Sequence, residues 1–443
     1  MAENVGGEVR AWVAAANMGL GHKRAIQPLR DIAEDGLIVV NDPSIAEPDE
    51  LKQWETLLSV YERLSRAKKI PFVGNFLFGI MDYFQRIKPA YPRIDLSRPT
   101  VQTRWNEGMI DKGICAGLIK RIRSKPLPLI TSYFTAAIAA DRAGYGRVYC
   151  IICDADINRV WVASDPHKSR INYLVPCGSV LRRLKQYGVP DERIFMTGFP
   201  LPKELLGGRD LDVLKADLGQ RLHYLDTQGR FWPLHEPSVV HFLGKANCKP
   251  KGRRKLTLSF AVGGAGAQME IGAEALASLK PKILAGELAM NLVCGVRPAV
   301  RTFFEGEVKA LGLAGSPDVR IIGGKGDEDY FEAFNRSLHE TDIIWTKPSE
   351  MSFYVGLGIP IIMAPTIGSQ EVFNKRWLDE IQAGVPQEDP RYANEWLYEL
   401  LDQGRLAETA WSGFLNARKY GTYKIYELLQ TGTMARPSDP LTR

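Results

Sequence analysis

The sequence predicts an α/β protein made of two Rossmann-like domains that face each other across a cleft. Three observations predict this fold class. Strands alternate with helices along most of the 443 residues, and in each half a glycine-rich loop follows a strand and opens a helix. A stretch without clear periodicity separates the two halves. The length also suits two or three domains.

The first half of the chain predicts a parallel sheet with helices on both faces. The expected strands are Glu8–Ala16, Gly36–Asn41, Pro128–Thr131, Arg147–Cys153, Asn172–Pro176 and Arg193–Thr197. The expected helices are Lys23–Glu34, Thr135–Ala143 and Gly178–Tyr187. We therefore expect an N-terminal domain over 1–205, with a helical insertion at about 50–125.

The second half repeats the same alternation. Its expected strands are Leu256–Val262, Ala289–Gly295, Val319–Ile322, Thr341–Thr346 and Pro360–Ala364. Its expected helices are one ending at Leu279, Glu305–Leu311, Tyr330–His339, one ending at Leu357, and Ser369–Ala383. We expect a linker or insertion over 206–254, a C-terminal domain over 255–407, and a helix and tail over 408–443 that cross back to the N-terminal domain. The basic run 249–255 predicts a solvated linker.

Composition restricts the class of function. The net charge of +6 and the pI of about 8.8 favour an anionic partner, either a nucleotide diphosphate or an anionic membrane surface. The sequence contains no strongly basic block, and it therefore does not predict a nucleic-acid partner. No apolar run of ~18–20 residues and no signal peptide are evident, which predicts a cytoplasmic protein. Cys150 and Cys153 fall in a predicted buried strand and point to opposite faces, so we predict no metal there.

One apolar segment allows two interpretations. Residues 72–81, which include Phe76 and Phe78, are flanked by six basic residues between 63 and 88. Such a segment can lie in a membrane interface, at the inner face of the membrane. The other interpretation is a helical lid that packs on the N-terminal domain, since basic residues also solvate ordinary helices.

Two groups of residues in the second half are candidates for binding an anion. Gly263, Gly264 and Gly266 follow a strand and open a helix, where backbone N–H groups can approach a phosphate. Lys347 follows another strand and could neutralise a diphosphate. Glu350 could bind the hydroxyl groups of a sugar or ribose. Alternatively, Glu350 simply favours the N-terminus of its helix.

Two further groups carry polar side chains. Gln370 and Asn374 share one face of a predicted helix, and their amides suit sugar hydroxyls or ordinary surface and capping positions. His22, in the loop that contains Gly19 and Gly21, is a candidate general base, or a residue that makes local hydrogen bonds at the start of its helix. Asp154 at a strand end is a second candidate, although an aspartate there is often a helix cap.

Together these positions resemble glycosyltransferase family 28, whose fold is termed GT-B. The residues that carry the resemblance are Gly19 to Ala25, Ser132-Tyr133-Phe134, Cys153-Asp154, Tyr173 to Pro200, Gly263 to Gly266, Cys294 to Arg297, Arg320 to Gly324, Thr346-Lys347-Pro348, Gln370 and Asn374. The types that the chain resembles include monogalactosyldiacylglycerol synthases and the peptidoglycan lipid-intermediate N-acetylglucosaminyltransferase.

The resemblance implies a donor site in the second half. It implies that the glycine loops, Arg297 and Lys347 hold the diphosphate, and that the backbone at Ile322 and Gly323 reads the base. Gln370 and Asn374 would contact the sugar, and Ser132 would lie on the acceptor side. The family places an acid seven residues before the proline of the next strand, where this chain has Phe353. Either Glu350, ten residues before Pro360, takes that role, or other groups read the donor hydroxyls.

The resemblance implies an inverting, metal-independent transfer from a nucleoside diphosphate sugar, with UDP as the nucleotide, to a lipid or small-molecule hydroxyl. His22 or Asp154 would be the base, and the nucleotide sugar is a co-substrate, with no cofactor. Two alternatives stay open: a UDP-sugar epimerase or hydrolase on the same fold, and a sugar-nucleotide-binding protein without activity.

Overall fold

The computed structural model describes residues 9–56, 87–89, 91–252, 254–263 and 266–435. Within these ranges the chain forms two compact units, each containing one parallel six-stranded sheet. The described residues of the first unit lie within 9–200, 367–373 and 420–435, and those of the second lie within 201–366 and 374–419. The predicted α/β class with two Rossmann-like sheets is confirmed.

The sheet of the first unit has the order β2-β1-β3-β4-β5-β6, and every neighbouring pair is parallel. Its strands are β1 (Ala11–Ala15), β2 (Ala33–Val39), β3 (Leu129–Thr131), β4 (Val148–Ile151), β5 (Asn172–Leu174) and β6 (Ile194–Phe195). The central strands β1, β3 and β4 are buried throughout. This is the pattern of a parallel sheet covered on both faces.

The helices of the first unit connect these strands. They are α1 (Leu20–Ile26), α2 (Val101–Asp111), α3 (Ala116–Ile122), α4 (Phe134–Arg142) and α5 (Gly178–Gln186), with 3-10 helices at Gln27–Ile32, Arg159–Trp161 and Asp191–Arg193. Residues 48–56 are also helical. The predicted apolar segment 72–81, with Phe76 and Phe78, lies outside the described residues.

A buried carboxylate connects the beginning of the insertion to α3. Glu50 accepts hydrogen bonds from the backbone N–H groups of Cys115 and Gly117 at 2.8 and 2.9 Å, and from the indole of Trp54 at 3.1 Å. These backbone groups lie at the N-terminus of α3, where donors otherwise lack a partner within the helix. Glu50 therefore joins the helix at 48–56 to α3.

The sheet of the second unit has the order β12-β11-β10-β7-β8-β9, again with parallel neighbours only. Its strands are β7 (Leu256–Ala261), β8 (Leu288–Gly295), β9 (Val319–Gly323), β10 (Ile343–Thr346), β11 (Ile361–Met363) and β12 (Gly384–Pro386). Counted along the chain from β7, this is the 3-2-1-4-5-6 order of a dinucleotide-binding Rossmann sheet.

The helices of the second unit include three in the stretch where the sequence pattern is unclear. The helices are α6 (Lys203–Leu206), α7 (Asp212–Leu225), α8 (Trp232–Leu243), α9 (Met269–Leu284), α10 (Pro298–Ala310), α11 (Asp327–Leu338), α12 (Ser369–Glu380, shared with the first unit), α13 (Ala393–Asp402) and α14 (Arg405–Asn416), with 3-10 helices at Glu350–Leu357 and Pro390–Tyr392. Leu214, Leu218 and Leu222 on α7 are buried. Residues 206–254 therefore contain helices that pack within the second unit.

The last two residues of the basic run 249–255 form ion pairs with carboxylates of the second unit, whereas the sequence predicted a solvated linker. Arg254 forms two hydrogen bonds, of 2.5 and 2.6 Å, with the fully buried carboxylate of Asp342, and its guanidinium lies 4.1 Å from the centre of the Tyr224 ring. Lys255 pairs with Asp318 at 2.6 Å. These two charges attach the start of β7 to its surroundings, because a buried carboxylate needs a paired cation.

The last described helix, α15 (Gly421–Thr431), belongs to the first unit. The hydroxyl of Tyr426 bonds the carboxylate of Asp31, and Arg147 donates to the carbonyl of Leu429 at 3.3 Å. Gly421 lies against the carbonyl of Phe199, where a Cβ atom would have no room. The chain end thus packs with strands and helices from its beginning.

All six cysteines are unpaired thiols, and Cys248 is the one that is not buried. Burial raises the pKa of Cys150 and Cys177. Cys150 lies in β4, whereas Cys153 lies beyond the end of that strand. In the described part of the chain, no helix is both long and apolar enough to cross a membrane.

Candidate functional site

The second sheet brings two loops together at one point of its carboxyl edge. β7 and β10 are neighbours, and from this pair the chain continues outward in opposite directions, to β8 on one side and β11 on the other. Thr346 lies opposite Ala261 in the register, and its hydroxyl donates to the Ala261 carbonyl at 2.9 Å. Ligands of open α/β sheets bind in the crevice at such a switch point.

The loop after β7 turns sharply at its glycines. The N–H of Gly266 donates to the carbonyl of Gly263 at 2.7 Å. Gly266 has a φ of +76°, which residues with a side chain rarely adopt. Gly264, the third glycine of the predicted site, lies outside the described residues.

Two cationic side chains lie along this glycine loop. A Cβ atom at Gly263 would lie 2.5 Å from Cε and 3.4 Å from Nζ of Lys347. A Cβ atom at Gly266 would lie 3.4 Å from Cδ of Arg297. Both side chains therefore run against the faces of the loop that glycine leaves open, Lys347 from the end of β10 and Arg297 from the end of β8.

This arrangement suits a ligand with two or more negative charges. Lys347 is half-buried and Arg297 is exposed, so the two cations can meet an anion that approaches from solvent. Helix α9 begins three residues after Gly266, and its first turn offers backbone N–H groups. A diphosphate group matches this combination of fixed cations and backbone donors.

Asn374 is attached to the same strand end. Its side chain is fully buried in α12, and Nδ2 lies 3.4 Å from the carbonyl of Pro348, the residue after Lys347. Gln370 lies on the first turn of α12, in the part of the chain that belongs with the first unit. Within the second unit, therefore, Asn374 lies next to the segment that contains Lys347, whereas Gln370 belongs to the first unit.

Phe353, at the position of the family acid, and Glu350, which could replace that acid, have different surroundings. Phe353 is buried, and its ring centre lies 4.9 Å from that of Trp377. Glu350 is the half-exposed first residue of the 3-10 helix that follows Lys347. Phe353 thus belongs to the apolar core, and Glu350 is the carboxylate nearest in sequence to Lys347.

The end of β9 lies two strands from β7 on the same edge. Gly323 has no room for a side chain, because Cys294 and Gly295 of β8 occupy the space that a Cβ atom would take. The thiol of Cys294 contacts the carbonyl of Ile322 at 3.2 Å, and the N–H of Gly324 donates to Gly295 at 3.1 Å. This close pairing holds the ends of β8 and β9 together at the carboxyl edge of the sheet.

Two residues near the site escape prediction from the sequence. Gln268 precedes α9 with a φ of +67°, and its side-chain amide donates to the carbonyl of Pro365, after β11, at 2.8 Å. Glu371 accepts from the N–H of Ile367 at 2.6 Å and so organises the start of α12. A glutamine in a left-handed conformation gives no sequence signal, whereas a glutamate at a helix start is a signal that could have been used.

In the first unit, His22 lies at the corresponding edge. Its Nδ1 lies 2.6 Å from the carbonyl of Ser132, and the Ser132 hydroxyl donates to the His22 carbonyl at 2.8 Å. A carbonyl only accepts, so Nδ1 carries the proton. In the neutral ring, Nε2 is then the nitrogen with the lone pair, which is the form that a general base requires.

Aromatic residues surround His22. The rings of Tyr133 and Trp161 have their centres 5.4 and 6.2 Å from that of His22, in edge-on and stacked arrangements respectively. Burial raises the pKa of Tyr133 to about 12, so its phenol stays neutral at physiological pH. The thiol of Cys153 lies 4.0 Å from Nδ1 of His22. The half-exposed imidazole is therefore held in one orientation.

The other predicted residues of the first unit have distinct positions. Gly19, with a φ of +124°, precedes α1, and Gly21 lies in the first turn of that helix. Asp154 lies half-buried beyond β4, the strand next to β3. Asp156, two residues later, forms a buried two-point ion pair with Arg183, with both contacts at 2.8 Å. Asp156 thus has a structural partner.

The chain is similar to known proteins in structure and not in sequence. No protein-family model and no curated protein sequence matches the chain. Among solved structures it is similar to MurG of Acinetobacter baumannii, with 14% identity over 73% of this chain and 78% of that chain and a TM-score of 0.44.

It is also similar to S. aureus MnaA with UDP, with 12% identity over 95% of both chains and a TM-score of 0.48. A third similar structure is the UDP-GlcNAc 2-epimerase of Neisseria meningitidis with UDP-GlcNAc. It has 13% identity over 95% of this chain and 99% of that chain, with a TM-score of 0.46.

Proposed function

We propose that this chain is a glycosyltransferase that moves a sugar from a nucleoside diphosphate sugar to the hydroxyl group of an acceptor. One observation carries the proposal. Lys347 and Arg297 lie against Gly263 and Gly266 at the switch point of a sheet with the Rossmann strand order. The resemblance of the sequence to glycosyltransferase family 28 supports UDP as the nucleotide.

In this proposal the second unit stabilises the leaving group. When the bond from the sugar to the diphosphate breaks, negative charge grows on the diphosphate. Lys347, Arg297 and the backbone N–H groups at the start of α9 balance that charge. Two fixed cations perform the neutralisation that a divalent ion performs in other phosphate sites, which supports a metal-independent reaction.

The first unit supplies the base and binds the acceptor. Nε2 of His22 takes the proton of the acceptor hydroxyl, and the oxygen attacks the anomeric carbon from the face opposite the diphosphate, with inversion. Asp154 is the second candidate for this role. Within this proposal the acceptor is a hydroxyl compound, and a membrane lipid at the inner face of the membrane is the candidate that the sequence favours.

Thermal unfolding with a panel of nucleotides and nucleotide sugars tests the donor site. Ligand at ~100 times its Kd should stabilise the protein by about 2.7 kcal/mol. We expect stabilisation by UDP or by one UDP-sugar that is lost in Lys347→Ala, because the variant lacks a cation at the loop. The matched control is Lys309→Ala on the exposed face of α10, which should keep the response. A panel without any response would contradict the proposal.

An epimerase or hydrolase acting on the same donor is the second candidate. The cations around the glycine loop serve such a reaction equally well, and His22 could take a proton from carbon instead of from a hydroxyl. The two candidates differ in what happens without an acceptor. An epimerase or hydrolase changes the UDP-sugar alone, whereas a transferase releases UDP quickly only when an acceptor is present. Binding without turnover would indicate the inactive form, for which Phe353 at the position of the family acid is the main support.

A further inference from the structure

Helix α2 has an unusual distribution of polar and apolar side chains. Thr103 and Asn106 are buried; Thr103 contacts the carbonyl of Arg159 at 3.5 Å, and Asn106 accepts from the hydroxyl of Thr135 at 2.8 Å. Val101 and Trp105, one turn apart on the opposite face, are 70% and 56% exposed. A helix that packs on a core normally buries its apolar face and exposes its polar face. In α2 the arrangement is reversed.

The exposed apolar residues extend from α2 into the chain before it. Tyr91 and Ile94 are 69% and 49% exposed. Of the large apolar side chains that are exposed among the described residues, half fall between residues 91 and 105. Scattered exposed apolar residues are normal in a folded protein, whereas this concentration along the chain favours an interaction surface. Arg159 connects the two stretches, because its guanidinium donates to the Ser97 carbonyl at 2.7 Å and its carbonyl contacts Thr103.

Basic residues accompany these apolar ones. Lys88, Arg93, Arg98 and Arg104 are exposed, and no carboxylate in the described ranges forms an ion pair with any of them. The exposed acid in this stretch, Asp95, accepts a hydrogen bond from the N–H of Ser97 at 2.8 Å. The residues Lys88, Tyr91, Arg93, Ile94, Arg98, Val101, Arg104 and Trp105 are called the 88–105 surface below.

We propose that the 88–105 surface binds an anionic lipid bilayer. Aliphatic and aromatic side chains next to arginine and lysine match the boundary between acyl chains and charged headgroups. The long basic side chains can reach the headgroups while tryptophan and valine enter the apolar layer. A second copy of this chain is a poor partner, because a two-fold contact would place the same cations against each other.

This inference deepens the proposed function, because it places the protein where a lipid acceptor is found. The two nevertheless fail separately. Vesicle binding requires no nucleotide, and nucleotide binding in the second unit requires no vesicle. The variants used below should therefore keep the thermal response to UDP or UDP-sugar.

Flotation of the full chain with lipid vesicles tests the proposal. We expect the wild-type protein to float with phosphatidylcholine vesicles that contain phosphatidylglycerol, and to do so much less with phosphatidylcholine alone or at high salt. The double variant Val101→Ser/Trp105→Ser should lower the partition coefficient by about tenfold or more, since it removes both apolar anchors on α2. Arg98→Gln/Arg104→Gln should weaken the preference for anionic vesicles, because it removes two of the four cations of the surface.

The matched control is Leu234→Ser/Leu284→Ser, which removes two leucines that are similarly exposed on α8 and α9. It should float like the wild type. All variants change exposed side chains, so their unfolding temperatures should equal that of the wild type. The proposal is overturned if the wild type stays out of the lipid fraction, binds both kinds of vesicle equally, or floats as well with the α2 anchors removed as with them present.

Discussion

The absence of a side chain at Gly263 determines where Lys347 can lie. The lysine side chain occupies the space that a Cβ atom would take, with Cε 2.5 Å and Cδ 3.2 Å from that position. Any larger residue must push the lysine away from the loop. In the proposed donor site, this glycine would both admit a cation and let a phosphate approach the backbone.

Gly263→Ala tests this relation. We expect the variant to fold, because the far end of a lysine can move, but to lose roughly tenfold or more in affinity for UDP, about 1.4 kcal/mol. Isothermal titration calorimetry measures the change. The control is Gly306→Ala on α10, where the added Cβ meets no atom within 4 Å. This substitution also replaces a glycine that is unfavourable within a helix. Equal affinities in the two variants would show that Lys347 acts elsewhere.

His22 gives a second test at the scale of one residue. His22→Gln should lower kcat by about 10²–10⁴-fold while the Kd for the donor stays the same, because a general base acts after binding. Ser132→Ala is the control: it loses the hydroxyl that bonds the His22 carbonyl but keeps the backbone carbonyl that fixes Nδ1. Its kcat should change little. If His22→Gln keeps full activity, Asp154 becomes the base.

The contribution of each candidate residue to the site was partly predictable. The proximity of Lys347 to Gly263 was predictable, because parallel strands end at one edge and residues that follow neighbouring strands converge there. Gln268 was not, because its role depends on a backbone conformation and a partner 97 residues away. The placement of Phe353 in the core also required the structure, since Trp377 lies on another helix.

Among the elements, an ion pair that depends on pH joins α7 to His339, the residue that follows α11. Nδ1 of His339 lies 2.7 Å from a carboxylate oxygen of Asp217, and this hydrogen bond raises the pKa of His339 above its ordinary 6.5. Glu204 also raises this pKa, while burial and Arg221 lower it. The imidazole is about one-third exposed, so solvent weakens the interaction.

The stability that this pair contributes should fall as the pH rises. A raised pKa in the folded state means that the contribution is complete below pH 6.5 and is lost as the pH passes the folded value. We expect Asp217→Asn to cost at most ~1 kcal/mol at mildly acidic pH and less at alkaline pH. Urea unfolding of both proteins across the range measures the difference. A difference that grows with pH would contradict the assignment.

Sequence periodicity predicted most strands and failed where packing overrides local pattern. β4 is a continuous apolar run, and β7 and β8 are mostly apolar, which is typical of strands in a parallel sheet that is covered on both faces. β12 has three residues and contains a proline, so it gives no periodic signal. α8 contains Pro237 within the helix and escaped prediction for that reason. α2 lies within the predicted helical insertion, but its bounds were not predicted because its apolar residues face away from the core.

At the scale of the whole molecule, neither unit is one continuous piece of chain. The first unit includes α15 from the chain end, and the second includes 201–366 and 374–419. Contacts between α15 and Asp31 or Arg147 join residues that are hundreds of positions apart. The sequence predicted a crossing of the chain end but could not locate its contacts, because side-chain pairing over such separations leaves no local pattern.

The six thiols offer a way to count unfolded molecules. Alkylation requires an accessible thiolate, and five cysteines are buried in the folded protein. Cys248, half-exposed in the second unit, also has its pKa raised by burial, so a maleimide attaches there slowly in the native state. A fully unfolded chain would accept six labels. Mass spectrometry of labelled samples along a denaturant series would therefore report, molecule by molecule, which part of the population has opened.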